Sequence, residues 1–150
     1  MLRALRLRAL ADEPSAFGST YARELAFTTA VWEARLQPDA HPQLVCESDA
    51  GTPVGIAAGV RDAAVPAVAD LVGMWVDVSA RGSGAADALV AEVVCWAEHE
   101  RISVLRLHVT EGNSKAVRLY ERHGFRPTGT TYRRERDGVN EIEMERRSAP

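Results

Sequence analysis

Met74-Trp75-Val76-Asp77-Val78-Ser79-Ala80-Arg81-Gly82-Ser83-Gly84-Ala85-Ala86 passes from an apolar, strand-like run into a turn of small residues that opens a helix. Gly82, Gly84 and Ala86 let a backbone approach a ligand closely. The first amides of a helix have no partners of their own and point their N–H groups at an anion. The stretch therefore predicts a phosphate or diphosphate site. A nucleotide-hydrolysing P-loop does not fit, because it needs Gly-Lys-Ser/Thr and the only lysine is Lys115. A dinucleotide fingerprint fits poorly as well, since it needs three spaced glycines in a βαβ unit and the third position here is Ala86.

The remaining pattern is Arg-x-x-Gly-x-Ala, read on Arg81-Gly82-Ser83-Gly84-Ala85-Ala86. Downstream come Leu105-Arg106-Leu107-His108-Val109, then Asn113, Ala116, Leu119, Tyr120 and Gly124-Phe125. In this order and spacing the two blocks resemble the GNAT superfamily of acyl-CoA-dependent N-acetyltransferases. The resemblance covers roughly residues 2–146, because residues 5–10 and 14–20 look like the family's first helix and the turn after it. It implies a mixed α/β fold, a central mixed sheet flanked by helices. The strand that usually precedes the family's first helix is missing here, which would leave a sheet edge unpaired.

The bulk properties suit one domain spanning residues 1–150. At 150 residues and 46% hydrophobic, the chain can bury a single core without disulfides or metals. Cys46 and Cys95 have no metal-ligand spacing and read as buried free thiols of a reducing cytoplasm. No apolar run approaches the ~20 residues that cross a bilayer, and no signal-peptide cleavage pattern is present. The expectation is a soluble, cytoplasmic protein without membrane partners. The basic N-terminus, Met1-Leu2-Arg3-Ala4-Leu5-Arg6-Leu7-Arg8-Ala9-Leu10, suits a transit peptide, a membrane-surface helix or a first packed helix, and the resemblance favours the last. Residues 1–100 carry seven arginines against fourteen acids, whereas residues 101–150 carry eleven basic residues against seven acids. If the N-terminal half supplies the acceptor site, this negative field predicts a cationic amine acceptor. Nucleic acid is not an expected partner, because no basic cluster with interleaved aromatics occurs. A homodimer would suit the family, but no residue specifies its interface.

Helices are expected over residues 1–10, 18–26 and 29–37, the last stopped before Pro38. Residues 43–47 and 53–60 read as antiparallel strands joined at Asp49-Ala50-Gly51-Thr52. Residues 69–78 form the central strand, and 84–100 a helix with Leu89, Val93 and Trp96 toward the sheet. Alternation in 105–109 predicts a half-buried strand. Residues 113–123 form a helix with Ala116, Leu119, Tyr120 and His123 on one face, ended by Gly124. Residues 125–133 and 141–146 close the chain as a hairpin across Arg136-Asp137-Gly138.

Acetyl transfer from a thioester to an amine needs an uncharged nucleophile, a polarised carbonyl and a proton for the departing thiolate. The resemblance implies acetyl-CoA as cosubstrate, with no metal, and puts Tyr120 where the family often carries the acid that serves the thiolate. Asp70, eleven residues before Arg81, stands where relatives often hold a glutamate base; Glu24, Glu47 and His108 are alternatives. The backbone of Met74, Trp75 and Val76 is expected to hold the carbonyl oxygen and the pantetheine amides. Arg81 with the amides of Gly82, Ser83, Gly84, Ala85 and Ala86 would take the diphosphate, and Asn113, Ala116 and Tyr120 would flank the pantetheine arm. Lys115, Arg118 or Arg122 would reach the 3′-phosphate. Two departures from the family pattern stand out: Val78, where proline is common and an extended strand should accept it, and Asp87, which puts a negative charge in the first turn of the phosphate-facing helix. Neither cysteine belongs to a nucleophile motif, so direct attack of the amine is expected. A non-catalytic acyl-CoA-binding regulatory module is the rival reading.

Overall fold

The computed structural model describes residues 1–37 and 41–149. Helix α1 (Leu2–Asp12) comes first, followed by two short helices, α2 (Tyr21–Leu25) and α3 (Thr29–Ala34). Strands β1 (Gln43–Glu47), β2 (Pro53–Arg61) and β3 (Val68–Val76) lead to helix α4 (Ala85–His99). Strand β4 (Val104–Thr110), helix α5 (Ser114–Arg122) and the hairpin β5 (Arg126–Arg133) with β6 (Asn140–Arg147) complete the chain. The six strands form one sheet in the order β1-β2-β3-β4-β6-β5. Only β3 and β4 run parallel; the other pairs are antiparallel. The mixed sheet flanked by helices is the expected fold class.

Alternation along the strands separates two cores. Ala57, Ala69, Leu71, Leu105, Leu107 and Met144 face α4 and α5, where Leu89, Val90, Val93 and Phe125 fill the larger core. Ile56 and Trp75 point the other way, onto Leu2, Leu5, Ala9 and Leu10 of α1. The basic N-terminal segment is thus a packed first helix. Its arginines stand beside an apolar stripe of Leu2, Leu5 and Ala9 at three- and four-residue spacing, which is how a helix keeps charge near water while burying one face.

Several boundaries differ from the sequence expectation, for local reasons. Helix α2 begins only at Tyr21, because the Thr20 side chain accepts from the Arg23 amide and caps it there. Helix α3 ends at Ala34 rather than running to 37; Pro38, the expected stop, lies outside the described residues. The central strand stops at Val76 instead of 78, because Asp77 accepts from the Ser79 amide and starts a 3-10 turn over Val78–Ala80. Val78 is therefore an exposed turn residue and not an extended one. Both cysteines are free, but neither is buried: Cys95 is exposed and Cys46 half-buried. No helix is long and apolar enough to cross a membrane, among the described residues.

Candidate active site

Strands β3 and β4 part company in the middle of the sheet. They pair only over Val68–Asp70 and Val104–Arg106. Beyond that point β3 stays with β2 as far as Val76, while β4 stays with β6 as far as Thr110. A bulge helps to open the gap: Gly73 and Met74 together stand opposite Ala57, and Gly73 takes φ +64°. The β4-facing edge of β3 from Leu71 to Val76 thus has no strand partner, and its residues line an open cleft. A cleft of about 770 Å³ opens here, lined by Met74, Trp75, Val76, Asn113, Ala116 and Tyr120 among others.

Below the splayed strands the chain turns into α4. Gly82 and Gly84 take φ of +80° and +91°, and Gly84 caps α4 without a side-chain bond. L-residues avoid that region, so glycine is what lets the turn leave the first amides of α4, from Ala85 onward, open to an anion. Arg81 does not aim at them. Its Nε donates to the Val76 carbonyl at 3.0 Å and its Nη2 to Asp12 and Glu13 at 3.1 and 2.7 Å. It ties the turn to the end of α1; of the turn and the start of α4, Arg81 and Ala86 line the cleft, and Gly82, Ser83, Gly84 and Ala85 do not. Ser83 turns its hydroxyl back onto the Ala80 carbonyl. Asp87, the unwelcome charge of that first turn, is held by Arg122 at 3.1 Å and by His123 at 3.0 Å. Hydrogen bonds from Arg122, foremost, and with His123 hold its carboxyl below the usual range. Arg122 is therefore engaged, whereas Lys115 and Arg118 are exposed and make no ion pair among the described residues.

Asn113 is both cap and lining residue. Its Oδ1 accepts from the Ala116 amide at 3.2 Å, and its Nδ2 has no partner among the described residues. The Trp75 side chain belongs to the core beneath α1 and donates to Asp12 at 3.0 Å. Tyr120 lines the cleft with its ring edge-on to Phe125, centroids 5.9 Å apart. Burial pushes its phenol up to about 12, and its hydroxyl has no partner among the described residues.

Asp70, expected as the base, sits elsewhere. It pairs in register with Arg106 and accepts two hydrogen bonds from it, at 2.6 and 2.9 Å. Arg106 also holds Asp62, and none of the three lines the cleft. Both oxygens of the Asp70 carboxylate are thus taken up by one guanidinium, away from the cleft. Glu24 is buried, and its carboxyl is held down by Arg6 and Arg35 against the upward pull of desolvation. Glu47 ends β1 and is exposed, outside the lining. His108 does line the cleft. It stands in register with Glu143 of β6, its Nε2 3.5 Å from Oε2. Glu143 in turn accepts from Thr128 at 2.9 Å and from Tyr132 at 3.2 Å, and the Tyr132 ring meets the His108 ring edge-on at 5.0 Å. Sequence reasoning missed Glu143. The alternation Glu141, Glu143, Glu145 puts it on the face opposite Ile142 and Met144, but no local signal pairs it with His108.

The model of the family described as Acetyltransferase (GNAT) family matches residues 6–125. Among solved structures, the chain resembles the ribosomal-protein-alanine N-acetyltransferase from Brucella melitensis, with 23% identity, 98% of this chain and 94% of that one covered, and a TM-score of 0.78. A GCN5-related N-acetyltransferase from Kribbella flavida is 24% identical over 99% of this chain and 90% of that one, TM-score 0.72. The ribosomal-protein-S18-alanine N-acetyltransferase from Escherichia coli is 22% identical over 96% and 90%, TM-score 0.68. At these identities the likeness concerns the fold. A search of curated proteins finds no match.

Proposed function

The chain belongs to the GNAT acetyltransferase family, and from that premise we propose that it transfers an acetyl group from acetyl-CoA to a primary amine by direct attack. The observation that carries the reading is the coincidence, in one cleft, of three parts: the unpaired edge of β3, the open N-terminus of α4 and the Tyr120 hydroxyl. The helix amides suit the diphosphate, the edge amides of Met74 to Val76 suit the pantetheine and the thioester carbonyl, and the Asn113 amide group suits the pantetheine arm.

In the transfer, the amine nitrogen forms a bond to the carbonyl carbon and the carbon–sulfur bond breaks. We assign His108 as the base that takes the amine proton, in place of Asp70. The Glu143 contact at Nε2 favours a proton on that nitrogen, leaving Nδ1 as the acceptor. Glu143 is a positioning residue. Tyr120, protonated throughout the neutral range, donates to the sulfur as its charge develops and returns the thiol.

Calorimetric titration with acetyl-CoA, run beside a free-thiol assay on a panel of primary amines, tests the proposal. Micromolar binding with amine-dependent thiol release is the expected result. Binding without release from any amine would favour the regulatory module, and absence of binding would remove the cofactor assignment.

A further inference from the structure

Building on that reading, the charges at the acceptor end of the cleft bear on the acceptor itself. Arg6 of α1 donates through Nε and Nη2 to Glu24 of α2, the shortest bond being 2.9 Å. Arg35, just past α3, reaches the same carboxylate with Nη1 at 3.5 Å. The Glu24 side chain is 2% exposed, against 16% and 33% for the two arginines. One buried carboxylate thus lies beneath two guanidiniums that line the cleft, and the trio carries a net positive charge. Arg6 Nη1 has no partner among the described residues. A Cβ at Gly73 would meet it at 3.1 Å, which sets it against the β3 bulge, one residue before Met74. Arg35 lies over the rings of Trp32 and Phe27, at 4.8 and 5.3 Å, so its plane is fixed. The carboxylates that line the cleft, Glu13 and Glu141, are each held by an arginine already, Arg81 and Arg134.

We propose that the acceptor is an amino-acid-type molecule, a primary amine that also carries a carboxylate or a comparable oxyanion, which Arg6 and Arg35 receive while the amine faces the thioester. Planar guanidiniums with open N–H edges match an oxyanion, and two of them over one buried carboxylate leave charge for a ligand to neutralise. This reverses the sign expected from the negative N-terminal half, because the acids counted there are largely held within the protein by arginines.

The test compares amino acids with their own carboxamides, and with spermidine, in the thiol-release assay, using wild type and Arg35→Gln. Each favoured acid should exceed its amide at least tenfold in kcat/KM, and the ratio should shrink toward one in Arg35→Gln with acetyl-CoA affinity unchanged. A preference for amides or spermidine, or a ratio untouched by the substitution, would overturn the proposal. Preference for peptides with acidic side chains over free amino acids would overturn the amino-acid assignment too. Calorimetry of the same acids and amides on wild-type protein loaded with CoA needs neither turnover nor a variant. There, tenfold tighter binding of the acid supports the proposal even if no thiol is released, and equal binding refutes it.

Discussion

Tyr120 combines a packed ring with a hydroxyl free to act, so Tyr120→Phe should leave the contact with Phe125 and the fold intact while removing the proton donor. Turnover should fall by about 10²–10⁴-fold with acetyl-CoA binding retained, as general acid catalysis of this kind contributes; unchanged turnover would take Tyr120 out of that role. His108 and Asp70 make a second comparison. His108→Gln should cost turnover in a similar range. Asp70→Asn should instead lower the melting temperature modestly, since it weakens the grip on Arg106, and leave most of the activity. The opposite pattern in the two variants would return the base to Asp70. Glu143→Gln should act through His108 and lower kcat with KM little changed, because it alters the partner that orients the imidazole without touching substrate.

At the level of elements, α4 is held to the sheet by a contact only glycine permits. A Cβ at Gly59 of β2 would stand 2.5 Å from the Trp96 ring. Gly59→Ala therefore overpacks the helix–sheet junction and should destabilise the protein by about 1–3 kcal/mol in thermal or denaturant unfolding. A stability equal to wild type would mean that the indole swings aside at no cost. At the other edge, β5 is exposed along its whole length. Its hairpin is fastened back onto the segment after α1 by Arg134, which donates to the Phe17 and Ser15 carbonyls, and by Arg136, which donates to Phe17. That fastening closes one side of the cleft and explains how an edge strand without a core of its own keeps its place.

Across the molecule, many of the described carboxylates are held by arginines and hydrogen bonds, so acid should unfold it. Hydrogen bonds from Ser79 and the ion pair with Arg8 bring Asp77 to about 2, and Arg134 does the same for Asp137. Their folded-state values lie below the ordinary 3.8, so their contribution is fully present above about pH 4 and is lost as pH falls toward 2. The melting temperature should fall most steeply in that window, and Asp77→Asn should flatten part of the drop; a melting temperature constant down to pH 2 would contradict this. The turn from Met74 to Ala86, the order of strands and helices and the cap at Asn113 were legible in the chain, because each depends on rules acting over a few residues. Gly84 needs positive φ, β4 alternates with period two, and an Asn can cap the amide three residues on. Asp70 was singled out by its spacing before Arg81, which carries no information about its neighbours in space. The tertiary structure alone decided that β3 and β4 align it with Arg106, that β4 and β6 bring Glu143 to His108, and that α1, α2 and the end of α3 gather Arg6 and Arg35 over Glu24. The register of distant strands and the seating of helices are set by packing of the entire core, so which charges meet is a property no local stretch of the chain contains.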